Sequence, residues 1–438
     1  MRSRRHQGVV RMVRTESPIS EQAMQGTGNR VARRRGRSRR GPGFLPAWTA
    51  AAALGFCALP SGAQETPASG IRAGGFLFLP SLEFGTRRDD NIYRTEQAVA
   101  DTVFSVEPRL RIGSEWRNHA LDVDIGGNWD EYNNASTEDK VDSFAIARGR
   151  LDVSQRTQLR FGVRRENLHE QRGDPNLPRS IAEPSGFARN GVDLGLSRQA
   201  GHFSLEVNGR MDVFAYENTR DETGERIVLD DRDRTRTEIS AQAGYAFAPG
   251  TQIFVRATRD SRRYERPLQG YDRDSSGDGL EIGVAHDATR LIDIEVTLGR
   301  REQRYEDARL APIDAPTVGV SLSWRPTLLT TVSVAMERTI EESSLRGASG
   351  YVRSSARFDI SHELTRSVLL AAAYTFEEDD YQGIDRVYDK SIWWVAAGWR
   401  PNRWFRMRLG YQVDTRKANI VWDEYDRAYP FLRFRFQP

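Results

Sequence analysis

Residues 289–301 read Thr289-Arg290-Leu291-Ile292-Asp293-Ile294-Glu295-Val296-Thr297-Leu298-Gly299-Arg300-Arg301. Ile292, Ile294, Val296 and Leu298 alternate with Asp293, Glu295, Thr297 and Gly299. Side chains on a strand point to opposite faces with period two, so this spacing predicts a ribbon with one apolar and one charged face. The ribbon is entered from a tight turn, Asp287-Ala288-Thr289-Arg290, and leaves through Tyr305 into polar sequence. Working outward, the same unit of turn, long two-faced strand and polar loop recurs from Phe78 to Phe436.

Further tight turns fall at Trp116–His119, Ser154–Thr157, Gln199–His202, Ala248–Thr251, Arg325–Leu328, Glu363–Arg366 and Arg400–Arg403. Most are spaced 37 to 39 residues apart, with two longer gaps of 45 and 49. A propeller blade of this length divides into four short strands. Here each period holds two strands of about ten to fourteen residues, the span that a tilted transmembrane strand needs. Two strands at each of eight turns, plus a first strand near Phe76–Gly85 and a last near Pro430–Phe436, predict eighteen. The loops His169–Gly186, Glu217–Asp233 and Arg266–Asp278 are long and polar. The expected fold is therefore all-β: a single transmembrane antiparallel up-and-down β-barrel of about 18 strands, with about 16 as the alternative. Short periplasmic turns at one rim and long extracellular loops at the other complete that expectation.

The alternation holds elsewhere. Phe104, Val106, Leu110 and Ile112 oppose Ser105, Glu107, Arg109 and Arg111; Phe405, Met407, Leu409 and Tyr411 oppose Arg406, Arg408 and Gln412. Two strands blur it: Val141–Val153 is ambiguous in phase, and Ser391–Trp399 is apolar on both faces. A soluble sandwich also makes two-faced strands, but so many long strands would need several stacked sandwiches, and no linker divides them. Aromatics near strand ends, among them Trp129, Tyr132, Tyr245, Phe247, Tyr264, Tyr305, Trp324, Tyr374, Trp393, Trp394, Trp399 and Trp404, are expected to form two girdles at the headgroup layers.

The first 63 residues read differently. A basic run, Arg33-Arg34-Arg35-Gly36-Arg37-Ser38-Arg39-Arg40, precedes an apolar stretch from Phe44 to Leu59 and a small-x-small site, Ser61-Gly62-Ala63. This is the pattern of an export signal cleaved near Ala63; an N-terminal membrane anchor is the alternative, for which the apolar run is short. The expected organisation is a signal peptide over 1–63, a short periplasmic segment over 64–75 and the barrel over 76–438. Residues 1–63 hold 12 Lys+Arg and 2 Asp+Glu, so the rest keeps 64 − 12 = 52 basic and 61 − 2 = 59 acidic groups. The formal net charge of +3 thus becomes −7, and no nucleic-acid footprint remains. The single cysteine, Cys57, lies in the leader; the mature chain has no thiol, which suits an oxidising periplasm.

The segment Asp89-Asp90-Asn91-Ile92-Tyr93-Arg94-Thr95, followed by Val106-Glu107-Pro108-Arg109-Leu110 and Trp116-Arg117-Asn118-His119-Ala120-Leu121, resembles the putative β-barrel porin type 2 family. The resemblance implies an outer-membrane protein, often associated with exopolysaccharide operons, and suggests passage or secretion of polysaccharide without naming a residue for it. Leu432, Phe434 and Phe436 alternate as the terminal signal read by the barrel-assembly machinery does, although Gln437-Pro438 follow.

Candidate chemistry is sparse. His119, His202, His286 and His362 sit at predicted periplasmic turns; His169 alone lies at the opposite rim, near Glu166, Glu170 and Asp174. Some outer-membrane enzymes build His-Asp-Ser sites at that rim, but no serine motif accompanies His169, which reads as a solvated loop residue. Asp272-Arg273-Asp274-Ser275-Ser276-Gly277 resembles half of a calcium loop and lacks its closing glutamate, Gly283 standing there. No cofactor or metal is expected. The charges that carry function are those expected to project into the lumen: Arg109, Arg111, Arg160, Arg164, Asp293, Glu295, Arg406 and Arg408. On the lipid face each would cost roughly 2–4 kcal/mol near midplane, whereas in the lumen they tune selectivity. The expected function is a channel or export conduit for polar solute or saccharide, in contact with outer-membrane lipid, with homo-oligomerisation left open. The alternatives are a structural or adhesin barrel acting through its long loops, or an outer-membrane enzyme.

Overall fold

The computed structural model describes residues 70–178, 181–287 and 291–438. The expected export signal with Cys57 and the expected cleavage site lie outside the described residues, as do residues 288–290 of the quoted turn. The long strands are β1 (Phe76–Asp89), β2 (Asp101–Ser114), β3 (Ala120–Tyr132), β4 (Lys140–Ser154), β5 (Thr157–His169), β6 (Gly186–Ala200), β7 (Phe203–Tyr216), β8 (Arg234–Ala248) and β9 (Thr251–Tyr264). They continue as β10 (Ser275–His286), β11 (Ile292–Tyr305), β12 (Ile313–Thr327), β13 (Thr330–Glu342), β14 (Gly350–Glu363), β15 (Val368–Gln382), β16 (Val387–Trp399), β17 (Phe405–Ala418) and β18 (Tyr425–Phe436). Each pairs antiparallel with its neighbour in sequence, and β1 pairs with β18 from Leu82↔Phe436 to Arg87↔Phe431. That last pairing closes an eighteen-stranded barrel, and the short strand Ile71–Ala73 doubles back on Phe76–Phe78 as the nineteenth member of the sheet.

The two rims differ. At one, strands meet through connections as short as 155–156, 201–202, 249–250 and 328–329; at the other lie 90–100, 170–185 and 217–233. Gly201 and Gly250 take positive φ (62° and 72°), the left-handed conformation that such tight turns demand and a side chain resists. Three β-bulges, at Asp152/Ser154, Ala246/Ala248 and Trp324/Thr327, fall beside these short turns. The last one moves the expected Arg325–Leu328 turn to Leu328–Leu329, because the bulge absorbs a residue before the chain reverses. The loop expected at Arg266–Asp278 is shorter, since Ser275 already pairs with Arg262 and Tyr305.

Burial runs opposite to that of a soluble protein. On β11 Leu298 is 54% exposed while Asp293 and Thr297 are 7% and Arg301 2% exposed. Leu280, Ile282, Leu194 and Ile239 are exposed on the outer face, whereas Asp260 and Arg262 are buried inside. Cross-strand partners share a face, so one strand's phase propagates round the ring. It resolves β4: Val141, Leu151 and Val153 point out, and Asp142 and Ile146 point in. On β16, Trp393, Val395 and Trp399 point out, while Trp394 and Ala396 join Ala371, Ala373, Tyr429 and Phe431 in an apolar patch on the inner wall. Tyr132, Trp394, Tyr264 and Tyr305 therefore do not belong to a girdle. Nearness to a strand end does not fix a face, and their register turns them inward.

Candidate functional site

The inner wall is a lattice of ion pairs whose spacing follows from register. Opposed residues on adjacent strands stand about 5 Å apart, within reach of a guanidinium fork. On β9 Arg256 reaches Glu281 of β10 (3.3 Å) and Glu295 of β11 (3.2 Å). Arg427 of β18 grips Asp89 of β1 and Asp414 of β17 (2.9 Å), and Arg433 joins Glu83 (3.2 Å) to Glu107 (3.1 Å), knitting the closure seam.

Of the charges singled out in the sequence, Arg109 donates from Nε to Asp124 at 2.7 Å, Arg160 pairs with Glu206, and Arg164 pairs with Asp193 at 3.2 Å. Asp293 accepts from Arg325 at 3.3 Å, and Glu295 takes Arg256 as above. Arg111 stands opposite Asp124, and Arg406 and Arg408 stand opposite Arg435 and Arg433. These eight lie on several sectors of the wall and do not converge on one site.

What does converge is the outer mouth, and sequence reasoning missed it. The β5–β6 loop folds inward instead of outward. Its Arg172 clamps the buried Glu138 of the β3–β4 loop (Nε–Oε2 2.7 Å), and Gln171 accepts from Arg94 of the β1–β2 loop. Further along, the carbonyl of Gly173 accepts from Arg416 of β17, and Asn176 accepts from the Ser344 backbone N–H at 3.0 Å and the Ser343 hydroxyl at 3.3 Å. Strands β5 and β17 are far apart on the ring, so residues 171–177 cross the mouth as a strap. From the other side the β13–β14 tip leans in to meet it. Glu342 bonds Arg262 and Tyr264 of β9, and Arg273 donates to the carbonyls of Ser349, Leu345 and Ala348. Ile340 and Val352 then pack on Ile313 and Ala315, with Tyr305 against them.

Glu170, at the root of the strap, is held by Arg232 of the β7–β8 loop at 2.8 Å. Burial opposes the Arg232 charge, but the Glu170 carboxylate outweighs it and holds the guanidinium above its ordinary range. The wall beneath the strap carries Tyr351 stacked on Tyr381 (centroids 4.8 Å apart), with Tyr388 edge-on and Arg416 over Tyr388 and Tyr425. The sequence offers no local signal for this arrangement, because glycine, asparagine and serine are ordinary loop residues.

The other candidates have structural partners. His169 ends β5 half-buried, with Nδ1 2.9 Å from an Asp142 carboxylate oxygen, so it is a rim residue hydrogen-bonded to the wall instead of a solvated loop histidine. Asp274 accepts from the Tyr264 backbone N–H at 2.7 Å, and the Asp272 backbone N–H donates to Asp307. The four histidines at the short-turn rim each bond a neighbouring hairpin or strand: His119 Nδ1 accepts from the Asp152 backbone N–H, His202 Nδ1 lies 2.8 Å from the Ala246 carbonyl, and His286 and His362 meet the hydroxyls of Thr251 and Thr330 opposite them.

Comparison with known proteins matches residues 66–438 to the sequence family described as "Putative beta-barrel porin 2". No curated protein matches the chain. Among solved structures, OccK2 (OpdF) of Pseudomonas aeruginosa, in complex with glucuronate, shows 12% identity over 83% of this chain and 100% of that one, with a TM-score of 0.44. The siderophore receptor PirA of Acinetobacter baumannii shows 8% identity over 82% of this chain and 80% of that one, with a TM-score of 0.44. The Pseudomonas aeruginosa outer membrane protein opdK shows 12% identity over 82% and 99%, with a TM-score of 0.40.

Proposed function

The chain belongs to the putative beta-barrel porin 2 family, and from that premise we propose that it is an outer-membrane channel passing polar solutes, saccharides among them, with no covalent chemistry. One observation carries the reading: a closed ring whose aliphatic side chains are exposed outside and whose charges are paired inside. Lipid satisfies the first face and water the second; a ring of this strand number encloses an aqueous lumen. The inner charges cost little where they are, because many guanidinium groups meet a carboxylate and others, such as Arg273 and Arg416, meet backbone carbonyls, and hydrated solutes passing such a wall exchange one set of polar contacts for another. The strap narrows the mouth, so entry selects by size before the wall selects by charge.

The export signal would take the chain to the periplasm with cleavage near Ala63, and Leu432, Phe434 and Phe436 would present it to the assembly machinery. An adhesin acting through its long loops is less well supported, because residues 171–177 of the β5–β6 loop are engaged inside the mouth. Conductance of the refolded mature chain in planar bilayers tests the channel. Discrete conductance steps are expected; a folded, inserted barrel that passes no current contradicts it. Swelling of liposomes carrying the barrel in a saccharide solution then tests the solute class.

A further inference from the structure

Most charged side chains on the inner face are consumed by a partner. Arg148 on β4 and Glu337 on β13 are exceptions: among the described residues neither has a hydrogen bond or an ion pair. Register fixes their direction. Arg148 pairs with Asp122 and Gly162 and shares the face of Asp124 and Arg164. Glu337 pairs with Gly319 and Ser355 and shares the face of Arg353. Arg148 is half-buried and Glu337 exposed, on a wall turned away from lipid, so interior water reaches both.

They also oppose each other. The strands are 13 − 4 = 9 apart in a ring of eighteen, which places them on facing walls. Arg148 stands 154 − 148 = 6 residues from the end of β4, and Glu337 stands 337 − 330 = 7 residues from the start of β13, both measured from the short-turn rim. Their heights therefore nearly coincide. No cation bonds the carboxylate; the charges around it are first two more carboxylates, Glu341 and Glu281, and then the guanidinium groups of Arg301 and Arg353, which have carboxylate partners of their own.

We propose that Arg148 and Glu337 are the specificity-determining residues for ions in the channel, setting its discrimination between cations and anions from opposite walls. The inference rests on the channel reading above. Charges consumed in pairs present little net field to a passing ion, whereas an unpaired one acts over a Debye length, about 30 Å at 0.01 M salt and about 3 Å at 1 M. With strands about 4.8 Å apart and tilted about 40°, the wall is roughly 36 Å across. At low salt both fields therefore reach the axis, and at high salt neither does.

The test is the reversal potential of the mature barrel in planar bilayers under a KCl gradient, for the wild type, Glu337→Gln and Arg148→Gln. Glu337→Gln is expected to shift the potential toward anion preference and Arg148→Gln toward cation preference at about 0.01 M, both shifts collapsing near 1 M. Glu337→Cys supplies a second arm: an anionic thiol reagent should return the potential to the wild-type value and a cationic one should drive it further away. Conductance with a reversal potential unmoved by either substitution and by either reagent overturns the proposal alone. Absence of conductance in the wild type overturns the channel reading and the proposal with it.

Discussion

Removing the side chain of Arg172 should open the outer mouth. Arg172 makes two bonds to Glu138, whose side chain is only 2% exposed, and two more to the carbonyls of Ile181 and Ala182 at 2.7 and 3.0 Å. In Arg172→Ala the Glu138 carboxylate stays buried without its cation, a loss of about 3–5 kcal/mol for such a broken pair. At about 1.4 kcal/mol per decade, the strap's engaged-to-released ratio falls by roughly 10²- to 10³-fold or slightly more. The remaining ties, Asn176 to Ser344 and Arg416 to the Gly173 carbonyl, hold the other half of the strap, so the barrel itself should stay folded. Two readouts follow: single-channel conductance should rise, and a thiol reagent should modify Asn176→Cys much faster when Arg172→Ala is also present. Unchanged conductance together with unchanged labelling rates would show that residues 171–177 do not constrict the mouth.

Other outcomes follow from the same geometry. Ile282→Arg, on the outer face of β10, should destabilise the inserted barrel by about 2–4 kcal/mol, whereas Thr297→Arg on the inner face should cost far less; urea unfolding from liposomes separates them. His169→Ala should leave assembly and conductance unchanged, because among the described residues the side-chain partner of this partly exposed histidine is Asp142, whose other tie, to the His169 backbone N–H, survives the substitution. In the outer loop after β11, hydrogen bonds from Arg309 hold the Asp307 carboxyl well below the usual carboxylate range. A depressed folded-state pKa contributes order that is present above the unfolded pKa and is lost as pH falls through the folded value. The protection of residues 306–312 against hydrogen exchange, taken relative to the intrinsic amide rate at each pH, should therefore be constant from neutral pH down to about 4 and fall only below that.

The barrel was legible in the sequence because lipid on one side and water on the other impose period two on almost every strand. The quoted stretch is the clearest case: Ile292 through Leu298 alternate, and register with Trp324, Leu322, Val320 and Val318 extends that phase to the next strand. The phase of β4 was illegible, since Ala145 and Ala147 face lipid and Ile146 faces inward, leaving no polar contrast to read. On β16, Trp394 and Ala396 face the inner wall as part of an apolar patch, so both faces of the strand look alike. The strap could not be read at all. Arg416 meets Gly173 across 243 positions and Asn176 meets Ser344 across 168, and nothing local marks contacts of that range. Nor does sequence separate Arg148 and Glu337, left without partners, from the many charges that have them.

The central claim is that the aliphatic face touches lipid while the ionic face encloses water, and residues 64–438, which hold no cysteine, suit a direct measurement. Single cysteines from Ile292 to Gly299, spin-labelled in bilayers, report collision with oxygen dissolved in lipid and with a water-soluble nickel chelate. Labels at 292, 294, 296 and 298 are expected to collide with oxygen and those at 293, 295, 297 and 299 with the chelate. Loss of that alternation, or the reverse phase, would contradict the claim.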